Sequence, residues 1–364
     1  VTDSAAAGTA LASGRKTGNA YIGVDIEGNE LHTLADVASE QGYKVGLVTN
    51  VGINHATPSC FYGHTSDRFG FPKLVDDYIA SDVAFIAGST IMDMKSGPQD
   101  PKYSPVTTAE LAERIRKAGI HLTLNAEEAG NVKGERVALV ANDKENKHVP
   151  YVIDRKGDVE HTLLNHSKAA IEYLAREAKD GFFLMIEGGK LDYAAHEQDA
   201  VATFYEVNEF AAAVQLALDF AEQHPDETLI VVTADHETGG IALGRGPYEL
   251  HTDVFQYQKI SVDMYSSHLE ELIKSQGTDI TWETIEADLK TNWGFWDKVQ
   301  LNEHQTARLK RAFDKVVAGK ENGEQSLYSQ LGGIATEARN ILHEIALVGW
   351  QSGGHSNGFV PVFA

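Results

Sequence analysis

The segment Glu187-Gly-Gly-Lys-Leu-Asp192-Tyr193-Ala-Ala-His196 sets an Asp and a His four residues apart. On a helix such a pair projects from one face and can share a metal ion. Glu187 closes an apolar run, and the two glycines after it would let the backbone turn sharply. A solvated helix start with an acidic first turn would read the same way. A second pair, Asp235-His236, follows the apolar run Leu-Ile-Val-Val inside Thr233-Ala-Asp-His-Glu-Thr-Gly-Gly. A carboxylate and an imidazole at a strand end can reach one cation and suit zinc, although an ordinary polar loop has the same make-up. The chain opens Val1-Thr-Asp3-Ser4-Ala-Ala-Ala-Gly. At the positive end of an Ala-rich helix a serine alkoxide is less costly and anions are attracted. Ser4 could equally be a plain N-cap.

Three more groups complete the set. His55-Ala-Thr57-Pro58 and His64-Thr-Ser-Asp-Arg68 follow an apolar run ending near Asn50. Arg68 could clamp a phosphate through its planar fork, or be a surface residue. His355 follows Gly353-Gly354, which would allow close backbone approach. No role is assigned to His32, His121, His148, His161, His166, His224, His251, His268, His304 or His343. A serine, two Asp/His pairs, a Glu, an Arg and a further His agree in chemistry. They are what phosphoryl transfer needs to neutralise the transferred group and activate a nucleophile.

The elements that must position these residues are short apolar runs: Val45–Val48, Val83–Ala87, Val137–Val140, Phe182–Ile186 and Leu229–Thr233. They alternate with helical patterns at Leu31–Glu40, Thr108–Ala118, Lys168–Ala178 and Val201–Glu222. That alternation predicts an α/β fold, a mostly parallel sheet with helices on both faces and ligands at the strands' carboxyl ends. Residues 247–349 are more polar, Trp-rich and helical in pattern, and are expected to be an insertion between two strands of one sheet. Residues 1–246 and 350–364 would form the catalytic domain, ending in a strand at Phe359–Phe363. Within the insertion, Tyr265, Trp282, Trp293, Phe295 and Trp296 could form a local core, face a partner subunit or touch substrate.

Composition bounds the partners. The 364 residues carry 31 Lys and Arg against 53 Asp and Glu, a formal charge of −22. Such a surface argues against nucleic acid or anionic membrane, so any phosphate must be drawn by a local positive site. One cysteine, Cys60, allows no internal disulfide or thiolate metal site. No apolar stretch is long enough to span a bilayer. Val1 is not an initiator Met, so processing or further upstream sequence is expected.

The motifs VTDSAAAGTALASG, HATP, HTSDR, IEGGKLDYAAH, TADHETGG and GGHSNGFVPVFA occur in the order found in the alkaline phosphatase family, which the chain closely resembles. The resemblance runs over Val1 to about Gly246 and Gly349 to Ala364. The insertion takes the place of the family's variable crown. The resemblance implies that Ser4 is the nucleophile forming a phosphoserine and that Arg68 clamps the phosphate. It implies a first zinc on Asp192, His196 and His355, a second on Asp235 and His236, and a magnesium on Thr57 and Glu187. His55 stands where some members carry Asp, which should alter the magnesium site. Tyr193 stands where others carry Lys, His or Trp, beside the phosphate. The family's upstream Asp, bridging magnesium and the second zinc, has no counterpart here, and the tail is short after Ala364. The implied activity is alkaline hydrolysis of small phosphate monoesters by a periplasmic or secreted homodimer. The alternatives are a phosphodiesterase or other hydrolase of the superfamily, or a truncated chain that binds phosphate and metal without turnover.

Overall fold

The computed structural model describes residues 1–95, 104–157, 159–276, 280–321 and 327–364. Five parallel strands, β1 (Lys44–Thr49), β2 (Val83–Thr90), β3 (His121–Thr123), β4 (Val137–Asn142) and β5 (Phe182–Glu187), form one sheet in the order β3-β4-β2-β1-β5. The unbroken apolar runs follow from burial on both faces. Leu47, Ile86, Ala138 and Val140 enter one core cluster, while Val48, Phe85, Ala87, Val137 and Leu139 enter another on the opposite side. Helix Leu163–Glu177 supplies Leu163, Ala170, Tyr173 and Leu174 to the second cluster, and helix Leu34–Glu40 supplies Ala35 and Ala38 to the first. The mostly parallel α/β sheet expected from the sequence is thus present.

The strands after residue 229 depart from expectation. Leu229–Thr233 reads as a buried strand, yet only β6 (Val232–Thr233) is paired. Its partner is the antiparallel β11 (Val362–Phe363), so the strand expected at Phe359–Phe363 is also short. Leu229 and Val231 stay 80% and 55% exposed, which is why the apolar run does not extend the ladder. Two further antiparallel ladders pair β7 (Glu237–Thr238) with β10 (His355–Ser356), and β8 (Ile241–Leu243) with β9 (Val348–Trp350). The segment expected as an insertion therefore leaves and returns through β8 and β9, side by side, in a two-stranded ladder separate from the five-stranded sheet.

Between β8 and β9 lie helices Val262–Gln276, Trp282–Trp293, Glu303–Glu321 and Leu327–Ala346. Tyr265, Trp293 and Phe295 have no exposed surface, and Trp282 and Trp296 pack edge-on at 6.2 Å against the same cluster. Of the three roles open to these aromatics, a local core is the one realised. The cluster also takes in Ala200 and Val201, at the start of helix Ala200–Gln223, which follows the Asp192–His196 motif.

Candidate active site

The site forms where β1 and β5 end and the three small ladders converge. Helix Ser4–Ser13 opens beside it, and Asp3 rather than Ser4 is its N-cap, accepting the Ala6 N–H at 2.9 Å. Ser4 is therefore the first helical residue, only 6% exposed, and its hydroxyl is free to bond His236 Nε2 at 3.0 Å. The other Asp3 oxygen accepts from Ala20 N at 2.9 Å and Arg68 Nη1 at 3.0 Å. Burial opposes ionisation of Asp3, but these donors together hold its carboxyl below the usual carboxylate range. Arg68 is thus fixed by one arm beside Ser4. Its other arm donates to His55 Nε2 at 3.4 Å.

His55 is neutral, its pKa pushed down to about 3 by burial and then by the Arg68 charge. Arginine has no acceptor, so Nε2 must accept and the proton sits on Nδ1, which is buried without a partner. Tyr193 meets the His55 ring edge-on at 5.9 Å.

The helix Lys190–His196 brings Asp192 and His196 onto one face as expected. The glycines before it act differently from the expected sharp turn, since neither has positive φ. A Cβ on Gly189 would lie 2.9 Å from Val51, and one on Gly188 3.1 Å from Phe210, so close packing explains them. Gly353 and Gly354, by contrast, are not crowded, so the close backbone approach expected there is not found; no Cβ there would come closer than 4.0 Å to a neighbour. What that turn supplies is a carbonyl: Gly353 O accepts from His196 Nδ1 at 3.0 Å.

That bond fixes the His196 tautomer. With Nδ1 protonated, Nε2 presents a lone pair. His355 is set the same way, Nδ1 donating to Thr2 O at 2.7 Å. The two Nε2 atoms face each other at 3.1 Å, and each lies 3.4 Å from Asp192 Oδ1. Three acceptors aimed at one another with no proton between them repel unless a cation sits among them. Ligands about 2.0–2.1 Å from a tetrahedral zinc are spaced about 3.3 Å apart, which matches this triangle. His236 adds a second focus. Its Nδ1 donates to Thr238 Oγ1 at 3.2 Å, because that hydroxyl is itself committed to Asp192 Oδ1 at 2.7 Å. Nε2 then faces Asp235 Oδ2 at 3.1 Å as well as Ser4. The His236 ring stacks on His355 with centroids 3.6 Å apart, joining the two foci. Burial works against charge on Asp235 and His236, but their mutual contact prevails, drawing the Asp235 pKa down and the His236 pKa up.

At the end of β5, burial pushes Glu187 up to about 7, with Asp235 and Asp192 adding repulsion. Thr49 donates to Glu187 Oε2 at 2.6 Å, and Thr57 bonds the same carboxylate. One carboxylate with two hydroxyls is a hard oxygen set suited to magnesium. All eleven expected site residues lie in this one cluster. The sequence reading missed Asp3, Thr49 and Thr238, which orient Arg68, Glu187 and both His236 and Asp192. Asp3 alone had a local signal, as the N-cap type directly before an Ala-rich helix.

Comparison with known proteins points to one family. The sequence profile described as alkaline phosphatase matches residues 1–364. Alkaline phosphatase 3 of Bacillus subtilis (strain 168) is 31% identical over 365 residues, covering 100% of this chain and 72% of the relative. The chain spans 51%, 66% and 47% of three other curated relatives, only part of their length. The crystal structure of a cold-active alkaline phosphatase from the psychrophile Shewanella sp. superposes with a TM-score of 0.78 at 25% identity, covering 100% of this chain and 80% of that one. An alkaline phosphatase mutant from the Antarctic bacterium TAB5, with Mg bound in its M3 site, matches 68% of this chain and 67% of its own at 27% identity and a TM-score of 0.56. With the profile matched from the first residue to the last over a parallel sheet that gathers these carboxylates and imidazoles at its strand ends, the chain belongs to the alkaline phosphatase family.

Proposed function

We propose that the chain hydrolyses small phosphate monoesters at alkaline pH through a phosphoserine on Ser4, releasing alcohol and inorganic phosphate. The observation that carries this is the triangle of lone pairs on Asp192, His196 and His355, next to a serine hydroxyl and a tethered arginine. Asp192, His196 and His355 would hold one zinc, Asp235 and His236 a second, and Glu187 with Thr57 a magnesium. Bound cations would neutralise the phosphoryl charge and lower the pKa of the serine hydroxyl.

The chain's own groups account for the rest. Ser4 Oγ attacks phosphorus in line, the bond to the ester oxygen breaks, and the alcohol departs with a proton. Water then cleaves the phosphoseryl bond, giving inorganic phosphate and restoring the hydroxyl. Arg68, pinned by Asp3, binds two phosphoryl oxygens and keeps the group aligned with Ser4. His55 and Tyr193 wall the phosphate on the Arg68 side. Thr238 keeps His236 in the tautomer that leaves Nε2 facing Ser4, and Thr49 supports Glu187.

No helix among the described residues is long and apolar enough to cross a membrane. By family habit we place the protein in the periplasm or outside the cell, as a homodimer. The test is hydrolysis of p-nitrophenyl phosphate by protein loaded with zinc and magnesium. Activity lost on full chelation and regained with both metals is expected. Full turnover in excess chelator, cleavage of bis-p-nitrophenyl phosphate in preference to the monoester, or metal-loaded protein with no turnover would each overturn the reading.

A further inference from the structure

One histidine left without a role by its sequence context lies against the site. His148 is carried on the segment after β4, which is tied down by its own backbone and by β2. Asn142 Oδ1 accepts from the N–H groups of Lys144 and Glu145 at 2.9 and 3.0 Å, and Thr90 Oγ1 donates to Glu145 O at 3.0 Å. Val149 and Tyr151, on the far side of His148, are 7% and 4% exposed. The imidazole is therefore delivered by a segment anchored before and after it.

His148 meets Tyr193 edge-on, with centroids 6.2 Å apart and planes at 79°. Tyr193 meets His55 in the same manner at 5.9 Å and 82°. His55 then accepts from one arm of Arg68, whose other arm is held by Asp3 beside Ser4. His148 Nδ1 is buried with no hydrogen-bond partner, so the edge-on contact with Tyr193 is what engages this side of the ring. Aromatic pairs in this geometry are orienting, because the ring edge of one meets the ring face of the other.

We infer that His148 is a positioning residue for phosphate binding, backing Tyr193 so that Tyr193 holds His55, and His55 holds the free arm of Arg68. The inference rests on the phosphatase reading of the site, and deepens it by naming a residue that acts on the anion through Tyr193 and His55. Removing the His148 ring leaves Tyr193 free to tilt away from His55. One arm of Arg68 then loses its support while the Asp3 arm keeps it. The expected loss in phosphate affinity is that of one aromatic contact, roughly three- to tenfold.

The test is a double-mutant cycle read by inorganic phosphate affinity, from calorimetry on zinc- and magnesium-loaded protein, with p-nitrophenyl phosphate kinetics alongside. His148→Ala should weaken phosphate three- to tenfold and raise KM by a similar factor, with kcat and zinc content unchanged. His148→Phe, which keeps the ring and removes the nitrogens, should return affinity to within twofold of the parent. In a Tyr193→Ala background, His148→Ala should have no further effect. The inference is overturned if His148→Ala leaves affinity unchanged, if His148→Phe loses as much as alanine, if the loss persists in full without Tyr193, or if zinc is lost. A parent that binds phosphate but turns nothing over defeats the hydrolase reading and leaves the cycle readable. A parent that binds no phosphate defeats both.

Discussion

Replacing Arg68 with alanine tests the anion site, and its size can be worked from the contacts around the guanidinium. The side chain is only 17% exposed, so its bonds to phosphate form in a partly dry site. Two charge-assisted bonds at about 1.5–3 kcal/mol each predict a loss of roughly 3–6 kcal/mol. That corresponds to about a hundred- to ten-thousandfold weaker phosphate. The local scaffold should survive, because Asp3 keeps the Ala6 and Ala20 N–H groups, both at 2.9 Å, after Arg68 has gone. Its carboxylate then faces the anion without its cation, which adds to the loss. Arg68→Lys should be intermediate, since an ammonium keeps the charge but cannot span both Asp3 and two phosphoryl oxygens. The assay is the inhibition constant of inorganic phosphate against p-nitrophenyl phosphate, with melting temperature as a check on folding. An inhibition constant within twofold of the parent, in a variant that melts normally, would show that Arg68 does not bind the anion.

Other outcomes follow from the same contacts. Ser4→Ala should lower turnover by several orders of magnitude while zinc content, measured by atomic emission, stays at the parent level; a drop in zinc would place Ser4 in metal binding instead. Replacing residues 247–349 with a short linker, which also removes Val348 and Gly349 of β9, should keep zinc bound but change oligomer mass or the ranking of bulky against small esters; no change in either would make this segment merely tolerated. The metal-free protein should show a shallow fall in stability from pH 6.5 to 5 and a steeper one below about pH 4.5. Burial holds His55, His166 and His343 near 3 and His148 near 4, so each contributes stability above its unfolded value of 6.5 that is lost as pH falls. Burial also raises Glu187 and Glu197 to about 7 and Glu206 to about 6, so these contribute stability at low pH that is lost as pH rises. The two sets oppose each other down to about pH 4.5. Below it the histidine loss, up to roughly 1.4 kcal/mol per pH unit for each ring, is opposed by Asp154 and Asp199, whose carboxyls burial also raises, and the more numerous histidines prevail. A steep loss already between pH 6.5 and 5 in thermal melts would contradict this balance.

The five-stranded sheet was legible because Val45–Val48, Val83–Ala87 and Val137–Val140 are buried on both faces and so apolar without interruption, and the half-buried edge run Phe182–Ile186 packs against both clusters as well. Leu229–Thr233 carries the same signal and misleads, since a run of apolar residues reports suitability for burial and not the presence of a pairing partner. β6 finds its partner in β11, far along the chain, and no local pattern announces such a pairing. The carboxylates and imidazoles of the site were legible because they follow strand ends in short motifs. Their orientation was not. Gly353 O, Thr2 O and Thr238 set the histidine tautomers through backbone and hydroxyl contacts across the fold. The same is true of His148, which reaches Tyr193 only through tertiary packing. The glycines of Glu187-Gly-Gly were read as turn residues, but their φ values are ordinary and their small size is what Val51 and Phe210 require.

The central claim is that Ser4 is the atom that takes the phosphoryl group. The direct measurement is acid quenching of zinc- and magnesium-loaded protein incubated with inorganic phosphate, followed by digestion and mass analysis of the N-terminal peptides. One added phosphoryl group on Ser4, absent from Ser4→Ala, is the expected result. Phosphoryl found on another residue, or none on a protein that turns over p-nitrophenyl phosphate, would contradict the account.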